Sequence, residues 1–151
     1  MGFANLTIDH KKIKQNIASI KDTLPSNSKL LLVAKANAYG LGAIEICREL
    51  KDCINYIGVS TVREAAELRE NGIHTPILLL SEPFPSELDI VSSLDITITI
   101  YDKSTIELID HYTSTNNKTI KTHLKVDTGM TRLGTNWEDA KSIMNQWQKT
   151  S

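Results

Sequence analysis

The chain has 151 residues, of which 40% are apolar and 23% charged, with a net charge of −1 and a pI of about 6.4. This composition is typical of one soluble globular domain, and the lack of a basic excess argues against a nucleic-acid partner. No run approaches the roughly 18 apolar residues that a membrane span requires, and the first ten residues lack the charged start and apolar run of a signal peptide. We therefore expect a cytoplasmic protein that does not bind a membrane.

Two cysteines bear on the redox state and on metal binding. Cys47 falls on the apolar face of a predicted helix, as a small core residue would, and Cys53 lies at the end of that helix. Thiols stay reduced in the cytosol, so we expect no disulfide between them. Two cysteines without a nearby histidine pair also make a poor zinc site, so we expect no bound metal.

Five short runs rich in apolar and β-branched residues predict strands. The first three are almost continuously apolar, which is typical of strands buried on both faces of a parallel sheet. The last two alternate between apolar and polar residues, so the pattern does not fix how deeply they are buried. The five runs are residues 30–36, 56–60, 76–80, 96–101 and 120–126.

Helical patterns precede and separate these runs. The first begins after Asp9, its expected N-cap, and carries apolar residues at helical spacing. A polar stretch at residues 113–119 is expected to be a surface loop. The later helices are marked by Ala43, Ile46, Cys47 and Leu50, by a capping box from Thr61 to Glu64 that ends at Asn71-Gly72, by Pro85, by a second capping box from Ser104 to Glu107, and by Thr135 with Glu138.

The order of elements predicts one α/β domain over residues 1–151. A helix comes first and is followed by five strand–helix units, which implies right-handed crossovers and a parallel sheet. An open doubly wound sheet and a (β/α)8 barrel both fit this order. A complete barrel takes on the order of 250 residues. On the barrel interpretation, the chain holds about the first five units and lacks the last strands.

The first candidate for chemistry is the segment KANAYGLG at residues 35–42. Lys35 closes an otherwise apolar strand, where an ammonium is costly unless it is paired or its pKa falls. An amine with a lowered pKa can form a Schiff base with a carbonyl cofactor, and ligands of α/β folds sit at the carboxyl ends of strands. Tyr39 offers a hydroxyl to a phosphate. The alternative is that Lys35 simply reaches the surface before a glycine-containing turn.

The second candidate is the segment KVDTGMTRLG at residues 125–134, again a strand followed by a polar loop with glycines. Arg132 presents the planar fork that binds a carboxylate with two hydrogen bonds. The alternative is a surface loop of ion pairs formed by Lys125, Asp127 and Arg132. In a barrel both candidate segments would open onto the same rim, whereas in an open sheet they could lie far apart.

At these two segments the chain resembles a known family. KANAYG and KVDTGMTRLG look like the two signature segments of bacterial alanine racemases, in the family's order. VSTVREAAELRENGIHTPILLLSEP, at residues 59–83, resembles the strand–helix–strand between them, and TIDHKKIKQNI resembles the start. The similarity extends from Leu6 to Gly134.

The resemblance implies a fold-type III enzyme that depends on pyridoxal 5'-phosphate. Such enzymes have an amino-terminal (β/α)8 barrel and a carboxyl-terminal β domain, and they act as homodimers. They interconvert L-alanine and D-alanine, and the D-alanine is used for peptidoglycan. The implied cofactor of this chain is therefore pyridoxal 5'-phosphate, and the implied substrate is alanine.

The resemblance also implies roles for individual residues. Lys35 would carry the cofactor as a Schiff base and act as one of two catalytic bases, and Tyr39 would contact the cofactor phosphate. Arg132 would contact the substrate carboxylate and the phenolic side of the cofactor. Lys125 matches a lysine that is carbamylated in many members and helps to hold this arginine.

Two departures from the family pattern qualify these roles. Leu41 stands where the family usually has histidine, at a position expected to open a helix. The second base is a tyrosine of the family's carboxyl-terminal domain, supplied by the partner subunit, and no tyrosine here matches it. We therefore expect these 151 residues to be catalytically poor or inactive alone, with an open barrel edge and, around residues 5–8, a segment without its pairing partner.

Two other functions remain open. One is a racemase for another amino acid, such as serine, or for a broad set. The other is a non-catalytic barrel protein that binds pyridoxal phosphate, although such a protein would not need the Arg132 loop for a substrate carboxylate.

Overall fold

A computed structural model of the chain describes residues 4–147, with the side chain of residue 146 excepted. No helix among the described residues is long and apolar enough to cross a membrane. A 3-10 turn (Pro85–Glu87) precedes the helix that begins at Leu88. The elements in chain order are α1 (His10–Asp22), β1 (Leu31–Val33), α2 (Lys35–Gly40), α3 (Ala43–Leu50), β2 (Tyr56–Val59), α4 (Val62–Glu70), β3 (Ile77–Leu79), α5 (Leu88–Ser93), β4 (Ile96–Ile100), α6 (Lys103–Asn116), β5 (Thr122–Leu124), β6 (Val126–Asp127), β7 (Thr135–Asn136) and α7 (Trp137–Trp147).

Strand order decides between the two predicted architectures. Strands β1 to β5 form one parallel sheet in which each strand pairs with the next along the chain. A doubly wound sheet would reverse its order at a switch point, whereas a barrel wall is sequential. The partial (β/α)8 barrel with about five units is therefore confirmed. A separate parallel pair, β6 with β7, follows β5.

The sheet curves as a barrel wall does. Strands lie about 4.8 Å apart, so β2 and β5, three spacings apart, would be roughly 14 Å from each other in a flat sheet. Yet the rings of Tyr56 on β2 and His123 on β5 have centroids only 6.0 Å apart. Curvature that brings these side chains together defines a concave face, which corresponds to the interior of a barrel.

The opposite, convex face carries the hydrophobic core. Alternate residues of β2, β3 and β4 point to this face and pack against apolar residues of the helices, so the helices cover one side of the sheet. This one-sided layering agrees with a barrel wall, because helices form the outer ring of that fold. The strand residues of this core are Ile57, Val59, Ile77, Leu79, Ile96, Ile98 and Ile100, all at most 2% exposed.

Strand burial follows position in the sheet more closely than it follows sequence pattern. The continuous apolar runs correctly predict burial for β2 and β3, but the prediction is wrong for β1, where Leu31 is 38% and Val33 36% exposed. β1 is an edge strand of the described sheet, and these two side chains lie on its concave side. β4 is buried along its whole length despite its alternation. Its Thr99 is only 4% exposed, and the Thr99 hydroxyl is satisfied there because it donates to the Leu79 carbonyl at 2.6 Å.

The observed helix ends can be compared with the capping residues predicted from the sequence. Asp9 caps α1 as expected, and Thr61 with Glu64 forms the expected capping box of α4. The predicted box at Ser104 is wrong, because the Asp102 side chain accepts from the Thr105 amide and caps α6. The expected loop at residues 113–119 is helical as far as Asn116, whose side-chain amide donates to the Tyr112 carbonyl.

The two thiols are both free, as expected, but differ in accessibility. Cys47 is fully buried in α3, and burial raises the pKa of its thiol to about 11, whereas Cys53 is partly exposed. Since the thiolate is the reactive form, iodoacetamide at neutral pH should modify Cys53 and leave Cys47 intact until denaturant is added. Mass spectrometry of the labelled peptides measures this, with Cys53→Ser as the control. Labelling of Cys47 in the folded control would contradict its burial.

Candidate active site

The carboxyl ends of the five parallel strands meet at one rim. Lys35 lies two residues beyond the end of β1, and Ser60, Tyr101 and Lys125 directly follow β2, β4 and β5. Ligands of parallel α/β folds bind at this side of the sheet, because the loops there converge from several strands. Both segments singled out by sequence therefore lie on the rim where a ligand of this fold would bind.

Lys35 begins a strained turn and does not end a strand. The observed strand β1 ends at Val33, short of the predicted end at residue 36. Ala36, Asn37, Ala38 and Tyr39 all adopt left-handed helical angles, with φ between 52° and 56°. This conformation costs an L-residue about 1–2 kcal/mol in conformational free energy, because its Cβ approaches the following carbonyl oxygen. Such strain persists only where the surrounding structure fixes it, and it concentrates at functional sites.

Local hydrogen bonds hold this turn. The Ala38 amide donates to the Ala34 carbonyl at 2.9 Å, and the Gly42 amide donates to the Asn37 carbonyl at 3.0 Å. The Asn37 side-chain oxygen accepts from the Ala43 amide at 2.7 Å and so links the turn to the first residue of α3. Leu41 precedes α3 by two residues and does not open it, contrary to expectation.

The side chains on this turn differ in exposure. Lys35 is half-buried, while Tyr39 is 65% exposed. Among residues 4–147, Lys35 forms no ion pair. The turn thus presents one partly enclosed amine and one accessible phenol on the rim.

The loop after β5 is ordered by Asp127. Its carboxylate accepts from the Gly129 amide at 2.8 Å and from the Thr131 amide at 3.0 Å, and these bonds hold the pKa of Asp127 below its usual value. The Thr135 amide donates to the Lys125 carbonyl at 2.8 Å and closes the loop. Arg132 lies in the chain between Asp127 and Thr135, and its side chain is exposed, whereas Lys125 is half-buried.

The structure places the two segments at opposite edges of the described sheet. Lys35 follows β1, and Arg132 lies beyond β5, in the loop between β6 and β7; β1 and β5 are the two edge strands. Among the described residues, no group of three or more His, Cys, Asp or Glu side chains could hold a metal ion.

Sequence reasoning missed an interaction between Glu82 and Tyr101 on the same rim. The Glu82 carboxylate, which follows β3, accepts from the Tyr101 amide at 3.1 Å. Burial raises the pKa of Glu82, and burial together with the Glu82 charge raises the pKa of Tyr101. The local sequence does not predict this interaction, because Ser81-Glu82-Pro83 resembles an ordinary surface turn.

Comparison with known proteins shows which family has this sequence and fold. The family model described as alanine racemase, N-terminal domain, matches residues 8–151. The chain belongs to the alanine racemase family. It is 39% identical over 123 residues to alanine racemase 1 of Caldanaerobacter subterraneus subsp. tengcongensis, covering 81% of this chain and 32% of that protein. It is 36% identical over 140 residues to the alanine racemase of Fusobacterium nucleatum, covering 92% of this chain and 38% of that one.

Solved structures of the racemase family agree in fold. The alanine racemase of Clostridium difficile 630 superposes with a TM-score of 0.87 at 31% identity, covering 93% of this chain and 37% of that one. The racemase of E. faecalis superposes with a TM-score of 0.87 at 33% identity, covering 94% of this chain and 39% of that one. The chain thus spans 32–38% of the length of the two curated relatives above and corresponds to a portion of the racemase amino-terminal domain.

Proposed function

We propose that this chain forms the cofactor-bearing wall of a pyridoxal-phosphate-dependent alanine racemase. In this role it serves a cytoplasmic homodimer that supplies D-alanine for peptidoglycan. The observation that carries the proposal is Lys35 on a strained turn at the carboxyl end of β1, in a chain of this family. A similar structure, the racemase of Clostridium difficile, is a complex with cycloserine, which supports a small-molecule ligand.

The residues on the rim fit a phosphorylated aldehyde cofactor. The half-buried Lys35 amine forms no ion pair within the described part of the chain, so no carboxylate competes for it. The exposed Tyr39 hydroxyl can donate to a phosphate oxygen. A strained turn also holds its lysine in a defined direction, as covalent attachment to one amine requires.

Three residues of the rim have separate roles in the proposed racemisation. When bound, pyridoxal phosphate supplies an electron sink that makes the Cα proton of an amino acid removable. Lys35 holds or removes the proton on one face of the substrate, and Arg132 binds the substrate carboxylate through its guanidinium fork. Lys125, at the base of the same loop, supports Arg132. The base on the opposite face is assigned to a residue outside this chain.

The first test is covalent attachment at Lys35. The amine and the aldehyde condense with loss of water, and borohydride reduces the C=N bond to a stable secondary amine. Peptide mass mapping should place the label on Lys35, and Lys35→Ala should abolish this specific label and the visible absorbance of the imine. Lys29→Ala, an exposed lysine just before β1, is the matched control and should keep both. An equal label distribution in wild type and Lys35→Ala would refute the assignment.

Activity and substrate preference also depend on the parts of the racemases that lie outside the region matched by these 151 residues. A chimera in which this chain replaces the matching 37% of the Clostridium difficile racemase supplies them. It should racemise alanine in preference to serine, and Lys35→Ala should remove that activity. Activity on serine alone would favour a different substrate, and attachment without racemisation of either would favour a non-catalytic binding protein.

A further inference from the structure

Glu64 of α4 connects two loops of the rim. One carboxylate oxygen accepts from the Ser60 amide at 2.8 Å and from the Thr61 amide at 3.1 Å. The other oxygen accepts from the Ala36 amide at 2.7 Å. A single half-buried side chain therefore receives three backbone amides, two from the loop after β2 and one from the turn after β1.

Helix capping accounts for only part of this arrangement. In a capping box, the glutamate at the third helical position accepts from the amide of the N-cap residue, and the N-cap side chain accepts in return. The Thr61 amide and the Thr61 hydroxyl, which accepts from the Glu64 amide at 3.2 Å, satisfy that pattern. The Ala36 amide is 28 residues away in sequence and belongs to a different strand–helix unit.

The contacted amide is placed where it fixes the lysine. Ala36 directly follows Lys35 and is the first of the four left-handed residues. Its amide defines the peptide plane that leaves Lys35, so a bond to it sets the direction of the lysine backbone. The other bonds of the turn involve Ala34 and residues from Asn37 onward, and leave this peptide to Glu64. A charged acceptor is well suited to the task, because bonds to an ionised group are shorter and stronger than neutral ones.

We infer that Glu64 is a positioning residue that anchors the turn carrying the cofactor lysine. The inference rests on the proposed function in one respect, that Lys35 is the lysine that takes pyridoxal phosphate. Glu64 acts through the Ala36 peptide and couples the start of α4 to the orientation of Lys35.

The experiment compares Glu64→Gln with Thr61→Ala. Glu64→Gln keeps the side-chain shape but replaces one carboxylate oxygen by a donor and removes the charge. Thr61→Ala removes the hydroxyl half of the same capping box and leaves the Ala36 bond in place, so it controls for loss of helix capping. Glu64→Asp, whose shorter carboxylate cannot reach Ala36 in the same way, provides a second variant that retains the charge.

Two readouts are measured on each variant. The first is hydrogen exchange of the amides of residues 36–39 in the cofactor-free chain, which needs no cofactor chemistry. The second is the rate of pyridoxal phosphate attachment to Lys35, trapped by borohydride and mapped by mass. Both Glu64 variants should exchange this segment about tenfold faster and label Lys35 about tenfold more slowly, as expected for loss of a charged hydrogen bond. Thr61→Ala should match wild type in both, even where its melting temperature falls.

Two results would overturn the inference. One is unchanged exchange at residues 36–39 in both Glu64 variants. The other is slowing of Lys35 labelling by Thr61→Ala to the same extent, which would reduce Glu64 to a helix cap. A wild-type chain that never labels at Lys35 would refute the proposed function instead, and the exchange readout would then judge the anchoring separately.

Discussion

Replacing Arg69 by alanine is expected to lower the free energy of unfolding by about 2–3 kcal/mol, because the loss leaves three backbone carbonyls without a donor. The Arg69 guanidinium donates to the Leu94 carbonyl at 3.0 Å, to Ile73 at 2.6 Å and to Thr75 at 2.9 Å. These carbonyls belong to the end of α5 and to the loop that enters β3. One side chain therefore ties together two consecutive strand–helix units at the side opposite the rim.

The physical reason lies in partial burial. Burial lowers the pKa of the Arg69 guanidinium, although the nearby Asp95 carboxylate opposes this, and the group stays charged at neutral pH. A half-exposed guanidinium is screened by water, which is why the expected loss stays below the sum of three buried charged bonds.

Urea unfolding measures the effect of Arg69→Ala as a shift of the midpoint at constant slope. Arg63→Ala is the matched control, because Arg63 lies on the exposed side of the same helix and should change stability by no more than about 0.5 kcal/mol. Arg69→Lys should fall in between, since one ammonium cannot reproduce the planar fork. Equal midpoints for Arg69→Ala and Arg63→Ala would show that the three bonds contribute nothing measurable.

Local signals in the sequence predicted much of the fold. Apolar runs separated by helical patterns predicted the five strands of the main sheet but not the separate pair β6 and β7, and the capping residues Asp9 and Thr61 marked helix starts correctly. Strand order was not predictable from these signals, because a parallel sheet of either architecture buries the same kind of strand. Only the pairing of consecutive strands, with Tyr56 and His123 meeting across the concave face, separates the two.

The candidate site was predictable as a set of residues but not as a conformation. Lys35 and Arg132 were located by their motifs, yet no propensity predicts four left-handed residues that include Ala36 and Ala38. The long-range bonds of Glu64 and Arg69 were equally hidden. Each is a residue type that is common on the surface of helices. Each also bonds to backbone groups of loops that are distant in sequence and that only the tertiary fold places beside the helix.

The loop that carries Arg132 depends on the absence of a side chain at Gly134. Gly134 has φ of 132°, and a Cβ there would lie 2.7 Å from the Asp127 amide nitrogen and 3.0 Å from the Val126 carbonyl carbon. Both obstacles are backbone atoms of β6, which cannot rotate away as a side chain can. Gly134→Ala should therefore separate β6 from β7, at a cost of about 3 kcal/mol from strain and overpacking combined.

Gly129 allows these two causes to be measured separately. It has a similar φ of 128°, but a Cβ at this position meets nothing within 4 Å. Gly129→Ala thus carries the backbone strain alone, and Gly134→Ala carries the same strain together with the clash. Hydrogen exchange of the Thr135 amide, which is bonded to Lys125 in the native loop, reports the opening. About a hundredfold acceleration is expected for Gly134→Ala and about tenfold for Gly129→Ala.

Equal acceleration in the two variants would mean that the close approach of Gly134 to β6 contributes nothing. If Gly134→Ala opens the loop as expected, Arg132 loses its fixed position between Asp127 and Thr135 while Lys35, on the far edge strand, keeps its own. The same variant in the chimera should then impair binding of the substrate carboxylate much more than covalent attachment of the cofactor at Lys35. That outcome would show that the Lys35 turn alone determines attachment, and that the Arg132 loop acts mainly on the substrate.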